Sequence, residues 1–304
     1  MRLFATALIF LALPAFALDP AMFNLVSPEA TALAGADIVR IQASPQGQYL
    51  MAELTKRTKD WDKVASAAGF DPRRDLREIL VATSGQGAQQ QPLMIARGVF
   101  DQQRLLNMAT TSGFASRVYK GITIVSPPQN SGADAVAFLA GYLVAGSRAE
   151  VEAAVDRSNA RTASSALGSR ALLASTKYDA WVVTSMAGDL AQAIPGGGAQ
   201  GIPLRGINSV LGGVQFGSQM EIGVEAEAQS AQDATSLADV IRLGAAIAQT
   251  NQSAAQIGSI LASLTVSAEG NTVRAGLKVS QADFEKLFNQ LPPARTNGRR
   301  VASR

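Results

Sequence analysis

The sequence predicts an α+β fold: a largely antiparallel sheet, or two, with helices on one face, built from two related halves of strand-strand-helix units. Three observations predict it. First, β-rich runs end in a serine followed three residues later by an acid, as in Ser147-Arg148-Ala149-Glu150 and Ser280-Gln281-Ala282-Asp283, and an amphipathic run follows each. The serine can cap the free amides of the first helical turn, and the acid complements the helix dipole. Second, short strands are joined by tight turns at Ala140-Gly141 and at Ala268-Glu269-Gly270-Asn271, which marks hairpins and therefore antiparallel pairing. Third, Ile222, Val224 and Ala226 alternate with Glu221, Glu225 and Glu227, while Val273, Ala275, Leu277 and Val279 alternate with Arg274 and Lys278. One sheet face is thus apolar and covered, and the other is charged and wet. Hairpins with helices to one side belong to an α+β rather than a doubly wound arrangement.

The elements follow in order. Met1-Arg2, an apolar run to Phe16 broken by Thr6, Pro14, and the small residues Ala15 and Ala17 around Phe16 read as an export signal cleaved after residue 17. The run is short of the ~20 apolar residues of a spanning helix. A helix begins at Ser44 as cap with Pro45 in its first position, turns Leu50, Leu54, Trp61, Val64, Ala65 and Ala68 inward, and stops at Gly69. Strands are expected at 79–83, 92–100, 122–125, 135–139 and 141–145, with Asp101 capping a helix after the second. Those from Ala135 to Ala145 lack charged alternation and are expected to be central. Val151, Ala154 and Val155 form the inward stripe of the helix after Ser147. A polar seam from Arg157 to Ser175 divides the chain into halves at 18–165 and 176–291. The second half carries strands at 180–184, 210–216, 220–228, 261–268 and 272–279. Its helices follow the caps Ser230 and Ser280, with stripes Leu237, Val240, Ile241, Gly244, Ala248 and Phe284, Leu287, Phe288, Leu291. The recurrence of strand, strand, helix predicts an internal duplication. Residues 292–304 carry Arg295, Arg299, Arg300 and Arg304 and no acid, and read as a disordered basic tail.

Composition excludes more than the motifs add. With no histidine and no cysteine in 304 residues, disulfides, thiolate nucleophiles, Ser-His-Asp triads and His/Cys zinc sites are closed to this chain. Stability must come from an apolar core, for which the length is ample. There are 27 basic and 24 acidic residues, but with the four tail arginines and Arg2 set aside the acids outnumber the bases. The tail is suited to contact an anionic surface; nucleic acid is not expected as a partner, because a short arginine tail lacks a basic face with interleaved aromatics. No further apolar run reaches spanning length, so the mature chain is expected to be exported, periplasmic or extracellular, with no transmembrane segment.

The run Asp75-Leu76-Arg77-Glu78 before a strand, Arg97-Gly98-Val99-Phe100-Asp101 and Ala145-Gly146-Ser147-Arg148 at strand-to-helix junctions, and Asp179-Ala180-Trp181 at the start of the second half together resemble a group of uncharacterised exported bacterial proteins with duplicated strand-strand-helix architecture. The resemblance covers most of residues 25–291. It implies a fold and a compartment, and brings with it no activity, cofactor or catalytic residue.

The search for chemistry is short. No Gly-Lys pair exists for a P-loop, Gly85-Gln86-Gly87 lacks the third glycine of a dinucleotide fingerprint, and no Ser-x-x-Lys spacing occurs. Asp179, Asp189, Glu221 and Glu225 are acids that a two-carboxylate hydrolase would need in pairs, and pairing is set in space rather than in sequence. Residues 194–206, rich in glycine and ending in Arg205-Gly206, read as a long loop able to serve as a flap or adaptable edge. The sequence therefore assigns no catalytic residue, no metal ligand and no cofactor, and does not identify the binding residues. The expected function is non-catalytic binding of a ligand or partner in the cell envelope; the alternative is a carboxylate-dependent hydrolase with its cleft under the 194–206 loop.

Overall fold

In the computed structural model, residues 18–57, 66, 69–85, 90–127, 134–160, 165–185, 206–250, 258 and 260–290 are described. Residues 1–17, expected as a signal, residues 194–205 of the glycine-rich loop, Asp189, Trp61, Val64, Ala65, Ala68, Leu291 and residues 292–304, expected as a basic tail, lie outside them. The strands are β1 (Ala30–Asp37), β2 (Leu76–Ser84), β3 (Gln91–Gly98), β4 (Ala115–Tyr119), β5 (Ile122–Ser126), β6 (Asp134–Leu139), β7 (Tyr142–Ser147), β8 (Ala180–Thr184), β9 (Ile207–Gln215), β10 (Met220–Ala228), β11 (Thr265–Glu269) and β12 (Thr272–Val279). All twelve form one antiparallel sheet in the order β11-β12-β10-β9-β8-β1-β2-β3-β7-β6-β5-β4. The helices are α1 (Pro20–Phe23), α2 (Ile38–Ala43), α3 (Pro45–Arg57), α4 (Pro72–Asp75), α5 (Gln102–Thr111), α6 (Arg148–Ala160), α7 (Ala166–Lys177), α8 (Ala231–Thr250) and α9 (Gln281–Gln290). The protein is α+β, as its sequence predicts, and the two halves share one sheet joined at the β1–β8 pair.

Local chemistry explains most element ends. Ser147 Oγ accepts from the amide of Glu150 at 3.3 Å, Ser280 Oγ from that of Asp283 at 3.2 Å, Ser230 Oγ from that of Asp233 at 3.1 Å, and the Asp101 carboxylate from that of Arg104 at 3.0 Å. These serines are committed to helix starts. The β6–β7 turn holds both Ala140 and Gly141 at positive φ (53° and 89°), the mirror-image turn whose twist suits a two-residue hairpin. At α3 the Ser44 cap holds, its Oγ accepting from Gly47 at 3.0 Å, but Leu54 is 47% exposed rather than inward. Along α8 the apolar stripe likewise outruns its cover: Leu237 is buried and Val240 stands partly open to solvent.

Several segments differ from the sequence reading. β6 and β7, expected to be central, are tenth and ninth of the twelve strands and lack charge from Ala135 to Ala145 because helices bury them, and β4 has no counterpart in the sequence reading. β1, Ala-Thr-Ala-Leu-Ala-Gly-Ala-Asp, is one of the two middle strands, yet apart from Thr31 it lacks the β-branched and aromatic residues by which strands are recognised. The polar seam is largely helix: α7 is capped by Ser165 and packs through the small residues Gly168, Ala171 and Ala174, which give no large apolar stripe to read. The strand expected from residue 261 begins at Thr265, because Leu261 closes a helical turn in which the amide of Leu264 bonds its carbonyl.

The pairing register places residues in rows across the sheet. One row runs Ile124, Ala137, Val144, Ile95, Leu80, Gly35, Trp181, Gly213, Gly223 and Gly276 from β5 to β12. Its first five members are buried in the main core with Leu18 and Met22 from the α1 segment, Val151 and Val155 of α6, and Ala171 of α7. In the second half the helices lie on the opposite face, where α8 covers Val210, Ala226 and Val273. The predicted charged face of that half, with Glu221, Glu225, Glu227, Arg274 and Lys278, therefore continues the face that α6 and α7 cover elsewhere. Beyond α7 it is left open.

Candidate functional site

That open stretch is a groove whose floor is glycine. Gly213, Gly223 and Gly276 sit side by side on β9, β10 and β12. The ring of Tyr178, the residue after α7, lies in this trough: a Cβ on Gly213 would sit 2.2 Å from its Cγ, and one on Gly223 would sit 2.1 Å from its hydroxyl oxygen. Tyr178 fills the β9 and β10 part and is itself 5% exposed, while over Gly276 the Thr265 side chain closes in, a Cβ there sitting 2.9 Å from its hydroxyl oxygen, and the open space lies between Tyr178 and Thr265. The resulting cavity measures about 440 Å³ and is walled by Arg170, Leu173 and Lys177 of α7 and closed toward the sheet edge by Thr265 and Ser267. Leu173 is 69% exposed on its rim.

Charge lines both sides of the trough. On one side Arg274 Nε meets Glu225 Oε2 at 3.0 Å and its Nη1 meets Glu269 Oε2 at 2.8 Å, while Arg170 Nη1 meets Glu227 Oε2 at 3.1 Å. On the other, Lys278 Nζ meets Glu221 Oε1 at 3.2 Å. Lys177 Nζ stands 4.9 Å from the centre of the Tyr178 ring, a cation–π contact. The carboxylate of Glu225, and then that of Glu269, hold the Arg274 guanidinium above its ordinary pKa. Glu221 and Glu225 flank Gly223 by two residues each, so their Cα atoms are roughly 13 Å apart along β10.

Of the four acids weighed from sequence, the structure brings Glu221 and Glu225 to the groove, each matched by a cation. Asp179 is 2% exposed and structural: it ion-pairs with Arg40 at 2.7 Å and accepts from the amide of Phe216 at 2.6 Å. Asp189 lies outside the described residues, as does all of the 194–206 loop but Gly206. Among the described residues there is no group of three or more potential metal ligands, and no helix is long and apolar enough to cross a membrane. Sequence reasoning missed the glycine row. The available signal was glycine in the middle of three strand patterns, where it marks close approach of another group.

A second polar cluster is buried at the adjoining end of the sheet. Asp37, Glu78, Arg97 and Tyr142 are row neighbours on β1, β2, β3 and β7, and the amide of Asp37 bonds the carbonyl of Asp179 at 2.7 Å. Arg97 grips Glu78 with two nitrogens, and Glu78 Oε2 also accepts from the amide of Asp19 at 3.1 Å. The Tyr142 hydroxyl donates to Asp19 Oδ2 at 2.8 Å; burial first and this bond second raise its pKa. Burial also raises the pKa of Asp37, opposed by the bond from the Arg40 amide and helped by Glu78 and Asp179. A carboxyl whose pKa is raised on folding destabilises the fold once it ionises, and the penalty fades as pH falls through the folded-state value. Asp37→Asn, which keeps an acceptor for the Arg40 amide, is thus expected to raise Tm at pH 7 and to give no gain near pH 3. Thermal melts across pH check this; a lower Tm at pH 7 would refute it.

No family model and no curated protein matches the sequence. Among solved structures the fold is similar to that of TP0453, a Treponema protein. Crystal form III matches with a TM-score of 0.57 at 8% identity over 88% of this chain and 98% of that one, and crystal form IV with a TM-score of 0.51 at 8% identity over 88% and 95%. At this identity the likeness is one of fold alone: over most of both chains, this chain's α+β fold is similar to that of TP0453.

Proposed function

We propose that the protein is exported, loses residues 1–17, and binds rather than transforms a ligand in the cell envelope, with the glycine-floored groove as its site. The observation that carries this is the cavity of about 440 Å³ between Tyr178 and α7 on one side and Thr265 and Ser267 on the other. A flat apolar slot lies between rungs of paired charge, which suits a ligand with a ring or extended apolar part and polar groups of both signs. Pairing of every described groove acid with a cation favours binding over acid–base work, since neither member is left poised as acid or base. The basic tail supplies an electrostatic tether to an anionic surface. The shared strand order of the halves, β1-β2-β3-β7-β6 and β8-β9-β10-β12-β11, supports an internal duplication.

Native mass spectrometry of protein purified from its own host tests the reading. The expected mass begins at Leu18 and carries a retained companion, which a cavity-filling Thr265→Phe variant of unchanged circular dichroism loses. A bare chain, or the same companion on the filled variant, would remove the groove from consideration.

A further inference from the structure

We infer that cleavage after residue 17 gives the protein a structural ion pair it otherwise lacks: the new α-ammonium of Leu18 clasps the mature N-terminus to Glu78. The cut itself rests on the export reading above; the rest is carried by described residues. Leu18 is wholly buried, and with Met22 and Leu25 it is part of the main core. Its neighbour Asp19 donates its amide to Glu78 Oε2 at 3.1 Å. Successive backbone nitrogens are no more than about 3.6 Å apart by standard bond lengths, so the Leu18 nitrogen lies within roughly 7 Å of that oxygen.

The surroundings want a cation. Among the described residues of this cluster, Asp19, Asp37, Glu78 and Asp179 are met by Arg40 and Arg97, two more acids than bases. The remaining titratable group packed there, Tyr142, is a neutral donor to Asp19. In the uncut chain the Leu18 nitrogen is an uncharged amide. After the cut it is an amine whose ordinary pKa is about 7.7–8.0. An ammonium held in a buried position persists only with a partner, and the carboxylates of Glu78 and Asp19 are within reach of it. Processing thus does more than release the chain: it fastens the segment 18–26, which closes one end of the core.

The test uses protein cut in vitro to begin at Leu18, the same chain with two alanines before Leu18, and the Leu18 chain with its amine acetylated. At pH 7 the free Leu18 chain is expected to melt higher than both, by roughly 2–4 °C. The sign follows from linkage. An amine whose pKa is raised on folding stabilises fully below its unfolded value and loses the effect as pH rises through the folded one. The advantage should therefore vanish in strong base. With the amine carrying 13C-methyl groups, its NMR titration is expected above the ordinary range and to move down in Glu78→Gln. Equal melting of the three chains, or titration at or below the ordinary value, overturns the clasp, and the melting comparison decides alone where Glu78→Gln does not fold. A host-purified mass that does not begin at Leu18 overturns the processing step instead, so the two failures are told apart.

Discussion

Gly213→Ala is expected to cost about 3 kcal/mol of stability, the upper end of overpacking, and to lower Tm by roughly 6–12 °C, although it adds one methyl group. The added carbon would lie 2.2 Å from Tyr178 Cγ and 2.8 Å from its Cβ, inside the root of the side chain rather than at its flexible end. Tyr178 cannot step back. Its amide is bonded to the Ala174 carbonyl at 2.9 Å, and the next residue is tied down by its amide to the Val214 carbonyl at 2.9 Å and by its carboxylate to Arg40. Combining Gly213→Ala with Tyr178→Ala should give a loss well short of the sum of the two, because the second change removes the atoms the first collides with. Chemical denaturation of the four proteins in the cycle measures this; additive losses would mean that Tyr178 does not fill the trough.

Arg97→Met is expected to cost about 3 kcal/mol, the low end for breaking a buried ion pair. The low end applies because the Arg97 side chain is 39% exposed whereas that of Glu78 is 4% exposed. The variant strands a carboxylate beside Asp37 in a cluster already rich in acids. In the chain not yet cut at residue 17, changing Glu78→Met as well should restore most of the loss, since two apolar side chains of similar length replace a pair whose desolvation was costly, leaving the Asp19 amide without its acceptor. A single variant within about 1 kcal/mol of wild type would show that solvent already shields the pair.

Much of the fold was legible in the sequence because it is written in local chemistry. The caps at Ser147, Ser230 and Ser280, the turn at Ala140-Gly141 and the charged alternation of β10 and β12 each act within a few residues, and each stands where its pattern places it. β1 was not legible because its strand character comes from two neighbours, β2 and β8, that lie far along the chain. The same holds for α7, whose alanines bury only because Leu33, Trp181 and Val183 converge beneath them.

The site shows the division most plainly. Sequence alone determined the compartment to expect, the chemistries excluded by the absence of histidine and cysteine, and the wet, charged face on which Glu221 and Glu225 lie. Only the tertiary structure decided that the two halves share one sheet, that α6 and α7 cover one face of it and α8 the other, and that Gly213, Gly223 and Gly276 fall in one row beside Tyr178. The physical reason is register. A glycine's neighbours across a sheet are fixed by hydrogen-bond pairing between strands tens of residues apart, and no pattern within one strand encodes which residue will stand opposite.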